Sequence, residues 1–245
     1  MVFAFSEAFG PTASSTGSAE KQIGSDLIIQ PGNFHIEKIR IGKALVTGVE
    51  DATGIVYLKI KGVDGTYEYA YGRGLSSATD YGSIGPAELI DCSIPAPGGA
   101  KLQVFVKDVH NAKDVTVSLE FHQGLGQRVQ SYAVQGSITV AVTEESMGTI
   151  VMTDAGQIIQ ARFVGSGNVD AKSGVGIFKI IVPGKTGPYH FVVGNGHAGD
   201  VAGSIALADV IDLKPGIPVG KNVTIDLRIV STDVLLTPAA SIAVA

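Results

Sequence analysis

The chain has 245 residues and a formal net charge of −5, with a pI near 5.5, a length that suits one large or two small domains. An acidic balance without clustered Lys and Arg gives no direct nucleic-acid binding by the folded body, because counterion release needs such clusters. Charged residues make up 17%, against about 25% in an average soluble domain. A surface this poor in charge gains by burying its outside against copies of itself.

Residues 1–23 read as a flexible N-terminal arm. Met1-Val2-Phe3-Ala4-Phe5 is apolar but far short of the roughly 18 residues of a membrane span. It has no basic n-region, so the chain is either made and used without export, which Met1 favours, or already processed. The stem Ala13-Ser14-Ser15-Thr16-Gly17-Ser18-Ala19 is too small and polar to build a core. With Phe3, Phe5 and Phe9 at its tip, such an arm would dock on a neighbour or on an internal membrane.

Residues 24–121 form the first predicted β-sandwich. In Phe34-His35-Ile36-Glu37-Lys38-Ile39-Arg40-Ile41 the apolar phase slips between Ile36 and Ile39, which predicts a β-bulge at Glu37-Lys38. Tyr67, Tyr69 and Tyr71 share a face. Leu102, Val104 and Val106 alternate with Lys101, Gln103 and Lys107, and Phe105 falls on the outer side. Val115, Val117, Leu119 and Phe121 alternate with Thr116, Ser118, Glu120 and His122. This period of two marks half-buried antiparallel strands. The single cysteine, Cys92, excludes an intrachain disulfide or a Cys-based zinc site. It is expected to point into a strand interior, and Asp91 beside it disfavours a reactive thiolate.

Residues 122–147 read as a rigid connector in which Ser137–Thr143 alternates like a strand. Residues 148–245 form the second sandwich: Tyr189, Phe191 and Val193 share a face, and Val223, Ile225, Leu227 and Ile229 alternate with Asn222, Thr224, Asp226 and Arg228. Gly and Pro punctuate both halves. No long run has the 3.6-residue helical period, which leaves room only for short turns near 75–82, 86–90 or 206–210.

The two halves are copies. Residues 65–74, GTYEYAYGRG, match 187–196, GPYHFVVGNG, without a gap. Residues 82–91, GSIGPAELID, match 203–212, GSIALADVID. Gly54–Ile60 resembles Gly174–Ile180, Gly99–Val104 resembles Val219–Ile225, and Asp114-Val115 resembles Asp233-Val234. These blocks are collinear, which chance matching of Gly-rich turns does not produce.

Mean strand and loop lengths of about 5–6 and 4–6 residues place about eight strands in each copy. Eight suit a jelly roll, and seven would suit an immunoglobulin-like sandwich, whose Cys–Trp–Cys pattern is missing. The fold class expected is therefore all-β, two tandem antiparallel β-sandwiches forming a double jelly roll. From Gly24 onward this architecture resembles the double jelly-roll major capsid proteins of tailless icosahedral viruses, although no diagnostic motif carries the likeness and the chain is shorter than usual for that family. The resemblance implies a homotrimer with a pseudo-hexagonal footprint within a larger lattice, other capsid proteins as partners, and a virion assembled in the host cytoplasm.

The reactive side chains assemble no catalytic, cofactor or metal site, and the chain is read as non-enzymatic with no cofactor. His35, His110, His122, His190 and His197 are scattered, without a carboxylate or Cys at ligand spacing. Gly72-Arg73-Gly74 and Gly194-Asn195-Gly196 lack the strand–loop–helix setting of a phosphate loop and read as turns needing positive φ. Asp80 and Asp200 occupy corresponding loops where calcium would need six to eight oxygens. Asp91 and Asp212 read as strand ends or turn caps. Glu144-Glu145 would point apart, unlike the facing carboxylates of a glycosidase. The sequon Asn222-Val223-Thr224 sits within a predicted strand. Three functions compete: a capsid or other ordered array such as a surface layer, sheath or filament; a secreted carbohydrate-binding module using Tyr67, Tyr69 and Tyr71; and a cupin-type enzyme, which would need a His/Glu metal set.

Overall fold

The computed structural model describes residues 2–12, 20–45, 52–73, 87–108, 112–165, 175–185, 189–194, 208–232 and 238–245. Among the described residues nine strands precede residue 124: β1 (Val2–Thr12), β2 (Glu20–Gln22), β3 (Leu27–Ile28), β4 (Asn33–Leu45), β5 (Ala52–Ile60), β6 (Glu68–Arg73), β7 (Glu88–Pro97), β8 (Lys101–Asp108) and β9 (Ala112–Gln123). Eight follow: β10 (Gln130–Gln135), β11 (Glu144–Val151), β12 (Gly156–Val164), β13 (Val175–Ile181), β14 (Tyr189–Gly194), β15 (Asp209–Val219), β16 (Thr224–Ser231) and β17 (Ala239–Val244).

Strand order settles the fold. The first half has sheets β1-β9-β4-β7 and β2-β8-β5-β6, with β3 also pairing β8; the second has β10-β17-β12-β15 and β11-β16-β13-β14. Labelled B to I along the chain, both halves read B-I-D-G over C-H-E-F, with β2 and β3 sharing the C position. Within these four sheets all the strand pairings are antiparallel. The protein is a double jelly roll.

Two cores fill the sandwiches. Ile36, Ile39, Ile41, Leu102, Val104, Val117, Leu119 and Phe121 are fully buried in the first. Phe163, Phe178, Ile225, Leu227, Ile229 and Ile242 are fully buried in the second. The slip in β4 lies between Ile36 and Lys38 in its pairing with both β7 and β9. The extra residue returns Ile39 and Ile41 to the face that Ile36 occupies.

Two expectations about the termini of the copies are corrected. The stretch Val2–Thr12 is no arm: it is the B strand of the first jelly roll, paired with β9. Phe9 is buried, and Phe5 stacks on Phe121 with ring centroids 4.4 Å apart and meets Phe34 edge-on at 5.3 Å. The edge of β9 offers its backbone ladder to this segment, and Phe5 and Phe9 add apolar side chains to the first core. The stem 13–19 lies outside the described residues. The connector is likewise shorter than expected. Ser137–Thr143 is a loop holding one bridge at Ile138, and the strand is Gln130–Gln135, the B strand of the second copy. The alternation of Ser137–Thr143 marks no strand face: Ile138 tucks into the core while Val140 and Val142 stay exposed.

Candidate interaction surfaces

The two jelly rolls are joined face to face. The outer side of β6 and β5 lies on the outer side of β10, β17 and β12. Small residues on each surface bring the two together. On β17, Ala240 and Ile242 face the core, which turns Ala239 and Ser241 outward, and all four are fully or almost fully buried. Ala70 of β6 is 0% exposed and clusters with Val164 and Ala239. A Cβ added to Gly72 would lie 1.9 Å from Val164 Cγ1, so only glycine fits. Positive φ, the expected reason for this glycine, is not the reason: Gly72 is absent from the positive-φ residues.

Polar groups in this junction are paired. Arg162 and Glu88, both about 5% exposed, form an ion pair across it. Arg162 Nε also donates to Ala70 O at 3.3 Å, and Glu88 Oε2 accepts from Gly72 N–H at 2.9 Å. Ala70 N–H donates to Ser241 Oγ at 3.2 Å, and Ser131 Oγ donates to Glu68 O at 2.5 Å. Glu68 Oε2 accepts from Ala133 N–H at 3.2 Å. Burial pushes the Glu68 carboxyl up, and the Ala133 amide partly offsets it. Tyr67 and Ser131 form a bridge between the two halves.

The stack therefore has two outward faces that no described strand covers. At one end is the outer face of β11-β16-β13-β14, where Val192 is 78% and Ile177 42% exposed, next to Val142 at 74%. These residues share one shallow apolar depression with Val230. At the other end, the outer face of β1-β9-β4-β7 carries Arg40, Thr116 and Ser118, and Arg40 Nε bonds Glu120 Oε1 at 2.6 Å.

Tyr67, Tyr69 and Tyr71 lie in the core at 2%, 3% and 0% exposure, so this row is no sugar platform. On the outer side of that sheet, Tyr57 stacks on Phe105 at 5.4 Å, and Lys59 Nζ sits 4.3 Å from the Phe105 ring centroid. Cys92 packs beside the first core and donates to Ile36 O at 3.4 Å. Burial, and then Asp91, pushes its thiol well up.

His35 is buried, with Nδ1 3.2 Å from Gly124 O and its ring 5.9 Å from that of His122. Glu37 Oε2 lies 2.9 Å from His122 Nδ1, in ion-pair range but off the line of a hydrogen bond. Sequence spacing did not bring these three together; the pairing of β4 with β9 and the bulge at Glu37 did. Among the described residues no group of three or more His, Cys, Asp or Glu is arranged to hold a metal. His190 is exposed. His110, His197, Asp80, Asp200, Gly74, Asn195 and Gly196 lie outside the described residues.

Asp91 and Asp212 sit inside β7 and β15, not at strand ends. They pair with Lys38 and Gln160, and Asp212 Oδ1 accepts from Gln160 Nε2 at 3.0 Å. Glu144 pairs with Lys179 and Arg228, while Glu145 accepts from Thr139 N–H at 2.7 Å and Val140 N–H at 3.1 Å, so the two carboxylates point apart. Asn222 is exposed in the turn before β16 with φ 60°, outside the strand in which the sequence put it.

No protein-family model matches the chain, and no curated protein matches it. Among solved structures, the STIV MCP aligns over 98% of this chain and 95% of its own, at 8% identity and a TM-score of 0.42. A structure of infectious bursal disease virus, Gx strain, aligns over 98% of this chain and 71% of its own, at 11% identity and a TM-score of 0.26. Likeness at this level adds nothing to what the strand order establishes.

Proposed function

We propose that this chain is a structural self-assembling protein, a viral major capsid protein whose copies form trimeric, pseudo-hexagonal capsomers in a virion. The observation that carries the reading is the junction. Two jelly rolls of one topology are locked by an interface of fully buried small residues and a buried ion pair. A chain built this way is one stiff block, and stiff blocks with repeated surfaces tile through symmetric contacts. The exposed apolar face around Val192 and Ile177 supports the reading, since contiguous exposed apolar surface marks a place for a partner. The burial of Tyr67, Tyr69 and Tyr71 removes the feature that favoured a carbohydrate-binding module.

Light scattering on the purified chain, followed by negative-stain electron microscopy, tests the proposal. Threefold particles with a hexagonal outline, or closed shells, are the expected result. Sheets or filaments would move the chain to a surface-layer or filament subunit. A monomer at high concentration across salt conditions would end the assembly reading.

A further inference from the structure

The junction inside the chain has a second copy, split between the two ends of the stack and written in the same residue positions. On the donating side, the repeat aligns Ala70 with Val192 and Gly72 with Gly194. It also aligns Leu89 with Val210, and hence Glu88 with Asp209. The structure keeps the chemistry of these pairs. Glu88 accepts from Gly72 N–H at 2.9 Å, and Asp209 Oδ2 accepts from Gly194 N–H at 2.6 Å. Ile55 faces Ala70 across its ladder and Ile177 faces Val192. Ile55 is 6% exposed in the junction, while Ile177 is 42% exposed.

The receiving side repeats as well. Arg162 pairs across the sheet with Ser241 and Val210; Arg40 pairs with Ser118 and Leu89. Two residues on, Val164 stands opposite Ala239, and Gly42 stands opposite Thr116. Arg40 is therefore the counterpart of Arg162, on a face that no described strand covers. Its side chain is 48% exposed, against 6% for Arg162.

Steric complementarity is conserved with the bulk exchanged. Inside the chain, small Ala70 meets large Val164. At the ends, the donating strand carries the larger Val192, and the receiving strand carries Gly42, around whose Cβ position there is nothing within 4 Å. We infer that the face bearing Val192, Gly194 and Asp209 docks on the face bearing Arg40, Gly42 and Ser118 of a second copy of this chain, Asp209 taking the place of Glu88 and Arg40 that of Arg162. The contact is heterologous, joining different faces of successive copies, and repeats head to tail. It rests on the self-assembly reading above and gives that reading its partner surfaces.

Charge reversal on the full-length chain tests this. Arg40→Glu and Asp209→Arg, each alone, should reduce association by at least tenfold in sedimentation velocity, and Arg40→Glu with Asp209→Arg together should restore it. Circular dichroism and thermal melting confirm that each variant is folded. A second measurement does not depend on charge: Gly42→Cys with Val192→Cys, in a Cys92→Ser background, should form disulfide-linked oligomers under mild oxidation. If the wild type assembles, the single reversals assemble as well as it does, and no cross-link forms, the inference fails while the self-assembly reading stands. A wild type that stays monomeric overturns both.

Discussion

At the scale of single residues, the junction makes the sharpest predictions. Arg162 and Glu88 have given up water for each other and for backbone groups of β6. Arg162→Met should therefore cost about 3–5 kcal/mol, because it strands a buried carboxylate. Arg162→Met with Glu88→Gln should recover part of this, as read from denaturant midpoints. Gly72→Ala sets a methyl into Val164 and should cost about 1–3 kcal/mol. Val164→Ala in the same chain should relieve it.

Asp26 makes a different kind of prediction. Lys101 first, then Gln103 and Gln22, hold its carboxyl at about 2, below the usual 3.8. A folded-state value below the unfolded one means that the contribution to stability is present above about pH 4 and is lost as pH falls toward 2. Carboxyl NMR titration should place Asp26 near 2, and Lys101→Ala should move it upward.

At the scale of elements, the assignment of β1 separates two outcomes. Removal of a free arm would leave stability unchanged. Removal of residues 2–12 takes away the strand that pairs with β9 and uncovers Phe121 and Phe34. The truncated chain should lose thermal stability and aggregate through the freed edge of β9. Phe9→Ala, a buried aromatic deletion, should cost about 3–5 kcal/mol by chemical denaturation. The elements most legible in sequence were those with one dry and one wet face: β8, β9 and β16 keep the phase their sequences show. The bulge in β4 was legible for the same reason, since a slip in a period of two has few other remedies. β1 and β10 were missed because their cue is pairing with distant strands, not strict alternation.

At the scale of the whole molecule, the junction couples the two sandwiches. The chain should unfold in one transition, with coincident signals from both halves in calorimetry and hydrogen exchange. Residues 124–245 alone would expose Arg162, Val164 and Ala239, and should melt at lower temperature than the intact chain. The tyrosine row shows how far the sequence reached at this scale. Alternation put Tyr67, Tyr69 and Tyr71 on one face, but only the second sheet stacked above them made that face the interior. The candidate surfaces were half legible: the repeated blocks carried Ala70 and Val192, Gly72 and Gly194, and yet no linear cue said that these positions face outward from their sandwiches.

By itself the sequence determined the all-β class and the duplication, while the B strand of each copy, β1 and β10, fell outside the bounds it set for them. Class and duplication follow from local periodicity and repetition, which need no knowledge of distant contacts. Tertiary structure alone decided the jelly-roll strand order, the place of β1, and which copy of a repeated surface is covered. Those depend on pairings between residues as far apart as Phe5 and Phe121, or Arg162 and Glu88. Ala70 and Val192 hold the same position in the repeat, and one is buried and the other exposed, because a chain of two sandwiches has only one internal junction to fill.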